Sequence, residues 1–469
     1  MAFTSDVVWE VRTTGANTNG GGFASVSGIP GTDYSQQTSP QISYTDMVIG
    51  ATTTQFTSVA NAPTSAIVGN IINVVSGTGF TVQRVQVLSV AAGVATCDKS
   101  LGTTASTGGH GNLGGAAAIS VPFGLAVAGN TIWIKATATY SITSQIGTSN
   151  VGSSGLPITV IGYNATRGDN GQVTVLATAS MAYCIVVSQY NWRMYNVVAN
   201  ANNQATTGCF SASNSFITFQ NCVGQNFTEQ AFSISGTYCN VISCWGTGGT
   251  SAATAAFSTS SSCAFDSCVA TANACTGFLD SSVSIGTYNF CISANNTGSS
   301  SDGFQSTQTG NSASQFNHCL SYGNGRDGLR FTGATGPSSA IVRNCIFVEN
   351  AGFGVNSTST NWIVGPTATQ SYLLTMSYNF YFGNTSGAYN NLPAGPNDIT
   401  GTGDPTVAGA SGNFMLNNTQ GAGAACRAAG FPGALQSGGT GYLDIGALQH
   451  QDSPAVIAPV YNMVETRYQ

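Results

Sequence analysis

The chain has 469 residues, a net charge of −6 and a pI of about 4.8, and only 6% of its residues are charged, against roughly 25% in ordinary globular proteins. Lys and Arg total 11 and are scattered, which argues against binding nucleic acid by phosphate neutralisation. No run reaches the ~18 apolar residues of a membrane span. Yet 42% of residues are hydrophobic and 10% aromatic, so a core is expected rather than disorder, and the 59 Gly point to turns and β-structure rather than helices.

The opening residues carry no basic segment followed by an apolar stretch, so no Sec signal peptide is expected. The 13 Cys are an odd number in a long chain and form no CxxC pair, so neither a disulfide framework nor a zinc site is expected. No cofactor or metal is expected.

In chain order, residues 1–50 read as an N-terminal cap or attachment segment. Residues 51–119 have a different texture and read as a small inserted β-module. Within it Ile71–Val75, Arg84–Val90 and Val94–Cys97 are predicted antiparallel strands, and a Gly-rich linker runs from Ser106 to Ala118. Residues 120–390 read as stacked coils, the first marked by residues 129–135, 157–163 and 172–177. Residues 391–450 read as C-terminal coils and cap, and 451–469 as an arm lying on a neighbouring subunit.

The strongest signal is a repeat of roughly 21–28 residues between 190 and 390. Its first marker is a residue, mostly polar, followed by Cys or a large apolar residue, then alternation, then Asn. Asn221-Cys222, Ser243-Cys244, Ser267-Cys268, Phe290-Cys291, His318-Cys319 and Asn344-Cys345 carry it. A second marker runs in phase: a small residue followed by a large apolar one, at Cys209-Phe210, Ala231-Phe232, Ala256-Phe257, Gly277-Phe278, Gly303-Phe304, Gly328-Leu329 and Gly352-Phe353. Each unit holds two or three short strands and cannot bury its inner face alone, so the coils must stack, with strands ~4.8 Å apart. The Cys residues at these positions then form one inward ladder, and Cys239 and Cys263 a short second one. Asn273, Asn296, Asn324 and Asn350 form a turn ladder, with left-handed backbone and amides bonding coil to coil. The fold class is all-β: a right-handed parallel β-helix solenoid with an inserted small β-module and terminal caps.

Catalysis needs clustered acids, and these are sparse. Asp302 and Asp327 are the best pair, each two residues before the second marker's apolar residue on adjacent coils, with Arg326 and Arg330 close in sequence. They make a weak hydrolytic dyad candidate. The preferred reading is a turn role, each Asp before Gly bonding its own backbone. His318 precedes a ladder Cys and is expected to point outward. Trp192, Tyr195 and Trp245 are candidate exposed aromatics, though packing at coil corners is the commoner role.

Several segments resemble pectate-lyase-like right-handed β-helix proteins. Gly129–Lys135 is similar to their first-coil motif, and Pro157–Tyr163 with Thr166-Arg167-Gly168-Asp169 to their second. Asp404-Pro405 and Asp444-Ile445-Gly446-Ala447 resemble their closing motif. Val8-Trp9-Glu10-Val11-Arg12, Gly20-Gly21-Gly22-Phe23 and Asp33-Tyr34-Ser35 resemble β-helix proteins of tailed phages and prophages. The resemblance implies a structural virion protein (capsid decoration, head fibre, or tail fibre or spike component) assembled in the host cytoplasm and released by lysis. Its expected partners are copies of itself, in a trimer for instance, and other virion proteins, without membrane insertion. The alternative is a tailspike-like polysaccharide depolymerase acting on host surface glycans, and a further alternative is a cell-surface adhesin.

Overall fold

The computed structural model describes residues 3–29, 31–281, 285–309, 313–335, 338–358, 372–431 and 443–449. The expected arm at 451–469 lies outside them. The chain divides into two compact units, Met1–Ser282 and Val283–Gln469. Each carries parallel β-solenoid coils, and the fold class is the right-handed parallel β-helix expected from the repeat.

In the first unit three parallel ladders run through successive coils. One joins Val8–Ala16, Thr131–Lys135, Ile158–Tyr163, Trp192–Tyr195, Thr218–Gln220, Cys239–Ile242 and Cys263–Asp266. The second runs from Tyr140–Ile142 to Val269–Thr271 and the third from Ile146–Gly147 to Thr276–Asp280. Val8–Ala16 pairs in parallel with Thr131–Lys135, so the N-terminal strand is itself a rung.

Of the chain between those two strands, Gly22–Phe23 returns to pair antiparallel with Val8–Trp9, and much of the rest forms a closed antiparallel barrel. Its strands are Ile42–Ile49, Gln55–Thr57, Ile71–Ser76, Gln83–Ala91, Val94–Cys97 and Gly109–Leu113. Its own core includes Tyr44, Met47, Phe56, Ile72, Val85 and Leu113. The barrel takes in Ile42–Ile49, upstream of the expected module. The expected Gly-rich linker holds a strand instead: Gly109–Leu113 closes the barrel by pairing with both Ile42–Ile49 and Ile71–Ser76. Glycine is required there because a Cβ on Gly109 would meet the Phe80 ring at 2.3 Å.

The second unit repeats the ladder arrangement. One ladder holds Thr287–Asn289, Ala313–Asn317, Ser338–Arg343 and Tyr372–Ser377. The others run from Ile292–Ala294 to Ile399–Thr400 and from Phe304–Thr309 to Gly387–Asn390.

The columns follow from this register. Cys222, Cys244 and Cys268 occupy equivalent positions in the first unit, and Cys291, Cys319 and Cys345 in the second. Cys239 pairs directly with Cys263. All 13 cysteines are free and buried. Several thiols face backbone carbonyls of the preceding coil, as from Cys268 to Val241 at 3.1 Å and from Cys345 to Phe316 at 3.4 Å. Burial pushes the Cys244 and Cys345 thiols well above their ordinary range, so they behave as small apolar fillers.

The second marker forms an unbroken ring stack in the first unit. Phe210, Phe232, Phe257 and Phe278 lie with centroids 4.8, 4.9 and 4.7 Å apart. In the second unit Phe304 pairs with Leu329, but Leu329 then pairs with Val355 rather than Phe353. The marker at Gly352-Phe353 is therefore out of phase. Asp327 fills the space beside Gly352, where a Cβ would meet its Oδ1 at 2.2 Å, and the inward position passes to Gly354-Val355.

The turn ladder differs from expectation by one residue. The left-handed residues are Ala272, Asn295 and Glu349, with Gly323 and Gly383, each immediately before the expected Asn or its equivalent. The second unit's Asn amides do bond coil to coil. Asn296 Nδ2 donates to Asn324 Oδ1 (2.8 Å), Asn324 Nδ2 to Asn350 Oδ1 (3.0 Å) and Asn350 Nδ2 to Asn384 Oδ1 (2.8 Å). Asn296, Asn324 and Asn350 are buried, so each amide satisfies its neighbour away from water.

His318 is buried, contrary to its expected outward role. The Asp444-Ile445-Gly446-Ala447 segment covers it. Nδ1 lies 3.1 Å from the Asp444 carbonyl, and Nε2 lies 2.9 Å from Asn344 Nδ2. A carbonyl accepts and an amide nitrogen donates, which assigns a neutral ring protonated on Nδ1. Desolvation holds its pKa down at about 4.

Two predictions follow from these contacts. Asn324→Leu leaves the polar partners on both sides unsatisfied and should lower unfolding stability by about 2–3 kcal/mol, read from urea midpoints. Because the folded pKa of His318 lies below the unfolded value of about 6.5, the unfolded chain binds the extra proton. Stability from this group is full above pH ~6.5 and declines as pH falls toward 4, by up to about 3 kcal/mol. The difference between wild type and His318→Gln in urea midpoints at pH 7 and pH 4 measures it, and equal acid sensitivity would contradict the assignment.

Candidate functional site

The best acidic pair of the sequence, Asp302 and Asp327, lies in the second unit, in the turns that precede Phe304–Thr309 and Leu329–Thr335. Both side chains are buried. Arg326 binds Asp302 through both carboxylate oxygens, its Nε donating to Oδ1 at 2.7 Å and Nη2 to Oδ2. The Asp327 backbone N–H also donates to Asp302 Oδ1, at 3.2 Å. Asp327 in turn accepts from Phe353 N (2.8 Å) and Asn356 Nδ2 (2.6 Å), while Arg330 Nη1 stands 4.0 Å away.

Each carboxylate thus bonds the backbone of the following coil, not its own turn. The expected local Asp-Gly turn bond is replaced by a vertical one, and the local Gly303 and Gly328 N–H groups themselves donate to the Asp327 and Phe353 carbonyls of the next coil, both at 2.8 Å. Burial raises the pKa of Asp302, with the Arg326 guanidinium pulling the other way. Every oxygen of the pair is engaged, which suits coil cohesion and leaves little for a substrate.

A second polar centre, in the first unit, was not legible as a cluster. Glu10 is fully buried on the N-terminal rung. Its Oε1 accepts from Arg12 Nε (2.9 Å) and the Tyr163 hydroxyl, and its Oε2 from Arg167 Nε (3.1 Å) and Nη2 (2.9 Å). Arg167 also reaches Asp33 Oδ2 at 3.2 Å and Ser35 Oγ at 3.3 Å. Burial and the Glu10 carboxylate push the Tyr163 phenol above its ordinary range. Three segments far apart in sequence (Val8–Arg12, Asp33–Ser35 and Thr166–Asp169) therefore meet on one ion-pair network. Arg is suited to this because its planar fork can bridge two carboxylates.

A third cluster joins Tyr322, Glu349 and Asp404. The Tyr322 hydroxyl lies 3.1 Å from Glu349 Oε2 and 3.0 Å from Asp404 Oδ2, and Thr406 donates to Asp404 through N and Oγ1, both at 2.8 Å. It ties the closing Asp404-Pro405 motif to the coil. The sequence signal was Glu349, a carboxylate at a turn position where flanking coils place Gly. Among the described residues no group of three or more His, Cys, Asp or Glu is arranged to hold a metal ion.

The candidate aromatics are covered rather than open to solvent. Trp192 is buried, with Nε1 donating to the Asn150 carbonyl at 2.9 Å, and Tyr195 and Trp245 are half-buried. The packing role, named as the commoner one, fits all three. Among the described residues the most exposed rings are Phe216 and Tyr238, ahead of Tyr190 and Phe431, and the sequence did not single them out. No helix among the described residues is long and apolar enough to cross a membrane.

No family model and no curated protein matches the sequence. Solved structures do match. Pectate lyase Pel9A aligns at 17% identity with a TM-score of 0.57, over 72% of this chain and 92% of its own. Geobacillus virus E2 ORF18 aligns at 13% identity with a TM-score of 0.35, over 57% of this chain and 52% of its own. The tailspike protein gp49 of Pseudomonas phage LKA1 gives 12% and 0.25, over 66% and 65%. The Pel9A likeness establishes the β-helix fold. At this identity it carries no activity across.

Asp302→Ala should therefore act on stability. It strands the partly buried Arg326 and frees the Asp327 N–H, at a cost of about 2–3 kcal/mol after allowing for the exposure of Arg326. Chemical denaturation of the variant against wild type checks this, and an unchanged midpoint would release Asp302 from its cohesive role.

Proposed function

We propose that the chain is a non-catalytic structural protein of a tailed-phage particle, a capsid decoration, head-fibre or tail-fibre component that assembles with copies of itself. The observation that carries the non-catalytic part is the engagement of Asp302 and Asp327. The best acid pair is buried, and each of its oxygens binds the next coil or an arginine. A glycosidase needs two carboxyl groups facing a substrate across an open gap.

The virion part rests on the resemblance of the N-terminal segments to phage β-helix proteins. It is supported by the way those segments lock together at Glu10, Arg167 and Asp33. Thirteen free, buried thiols suit a protein that folds in a reducing cytoplasm. The tailspike-like depolymerase is the alternative reading.

Mass spectrometry of purified particles from the source organism tests this reading. The chain is expected among the stoichiometric virion proteins, and its absence from intact particles overturns the proposal.

A further inference from the structure

In the first ladder, Asn191, Phe216 and Tyr238 sit in tight turns just ahead of the strands Trp192–Tyr195, Thr218–Gln220 and Cys239–Ile242. Register aligns Asn191, Phe216, Tyr238 and Ser262 as one column on four successive coils. Asn191, Phe216 and Tyr238 have φ of 57°, 60° and 56°. Asn is the residue suited to this left-handed conformation, whereas a bulky ring is strained in it. Phe216 and Tyr238 are nevertheless 53% and 64% exposed, their rings stacked 15° from parallel with centroids 5.4 Å apart. Backbone strain and apolar surface left in water are two costs, and the only gain from the side chains themselves is the contact between the two rings. Phe290, His318 and Tyr378 share this backbone conformation but sit in internal ring contacts, so it is the exposure of the Phe216–Tyr238 pair that points to a ligand.

The turns holding the rings are pinned. Phe216 N donates to Thr237 O (3.1 Å) and Tyr238 N to Ser262 O (2.7 Å), while Ser215 Oγ and Thr237 Oγ1 lie 2.7 Å apart. Gly236 sits so close to the Asn214 carbonyl that a Cβ would meet it at 1.8 Å. The platform is thus rigid before any ligand arrives, which lowers the ordering cost of binding. The column offers no third ring, because Asn191 and Ser262 flank the pair. Two residues on, the strands turn Arg193, Thr218 and Asn240 to the same face in matched register. Arg193 and Asn240 are exposed and Thr218 is half-buried. Aromatic faces with guanidinium, hydroxyl and amide groups alongside match a sugar: the C–H face of a pyranose stacks on the electron-rich ring and its hydroxyls meet the polar row. A pair of rings is far smaller than the ~800 Å² per partner of a stable protein interface, so a folded protein is the poorer fit.

The geometry points to a saccharide-binding platform at Phe216 and Tyr238, with Arg193, Thr218 and Asn240 supplying polar contacts. The platform binds without cleaving, and it stands whether or not the chain is a virion component.

The test uses the full chain and the variant Phe216→Asn/Tyr238→Asn, since Asn occupies the same turn position at residue 191 and relieves the strain. Affinity electrophoresis is run through gels containing dextran, alginate, polygalacturonate or bacterial lipopolysaccharide, alongside thermal unfolding and sedimentation. Wild type should be retarded in at least one gel. The variant should bind roughly tenfold or more weakly at an unchanged or raised melting temperature. Absence of retardation of wild type in every gel overturns the platform, as does equal retardation of the variant. A variant that melts earlier without losing any binding makes the rings a structural staple. A variant whose oligomeric state alone changes gives the surface to a second copy of the chain. Either result also defeats the proposal.

Discussion

The solenoid of this protein depends on equivalent side chains of successive coils lying above one another. A coil of about 24 residues is too short to enclose its own core, so every inward group must find its neighbour on the coil above and below. Uniform chemistry in each column satisfies this. Thiols sit over thiols, phenylalanine rings stack at 4.7–4.9 Å, and amides donate to amides. The spacing between coils suits each contact: it matches ring stacking, and it lets an Asn Nδ2 on one coil reach an Oδ1 on the next.

The same vertical logic explains why the acids are poor catalytic candidates. An Asp in a solenoid turn has the following coil's N–H directly in reach, so Asp302 and Asp327 become links of a column rather than groups facing solvent. Burial of the pair would be costly without these partners, and Arg326 supplies the opposite charge. Strain is treated differently at different turns. Where a left-handed ring is covered it anchors chain, as the buried His318 (φ 52°) does by bonding the Asp444 carbonyl. Phe216 and Tyr238 are left open to water.

What could be read from the residues follows from periodicity. The two in-phase markers gave the solenoid, the inward Cys columns and the Phe stack, because a column repeats its chemistry at the coil length. Predictions failed where a local rule met a vertical contact. The left-handed turn residue precedes the expected Asn because that Asn is needed inside as an amide link. Gly109–Leu113 read as linker because its glycines carry no pattern, yet Gly109 is there to admit Phe80. His318 read as surface because the segment that buries it lies more than a hundred residues downstream.

The sequence by itself therefore determined the repeating body: its strand content, its coil length and the chemistry of its columns, since these are set by contacts between residues one period apart. Tertiary structure alone decided the non-repeating meetings. Glu10 with Arg167 and Asp33, His318 with Asp444, and Tyr322 with Asp404 join segments separated by loops of no fixed length. Their partners carry no shared period, so only the folded chain brings them together.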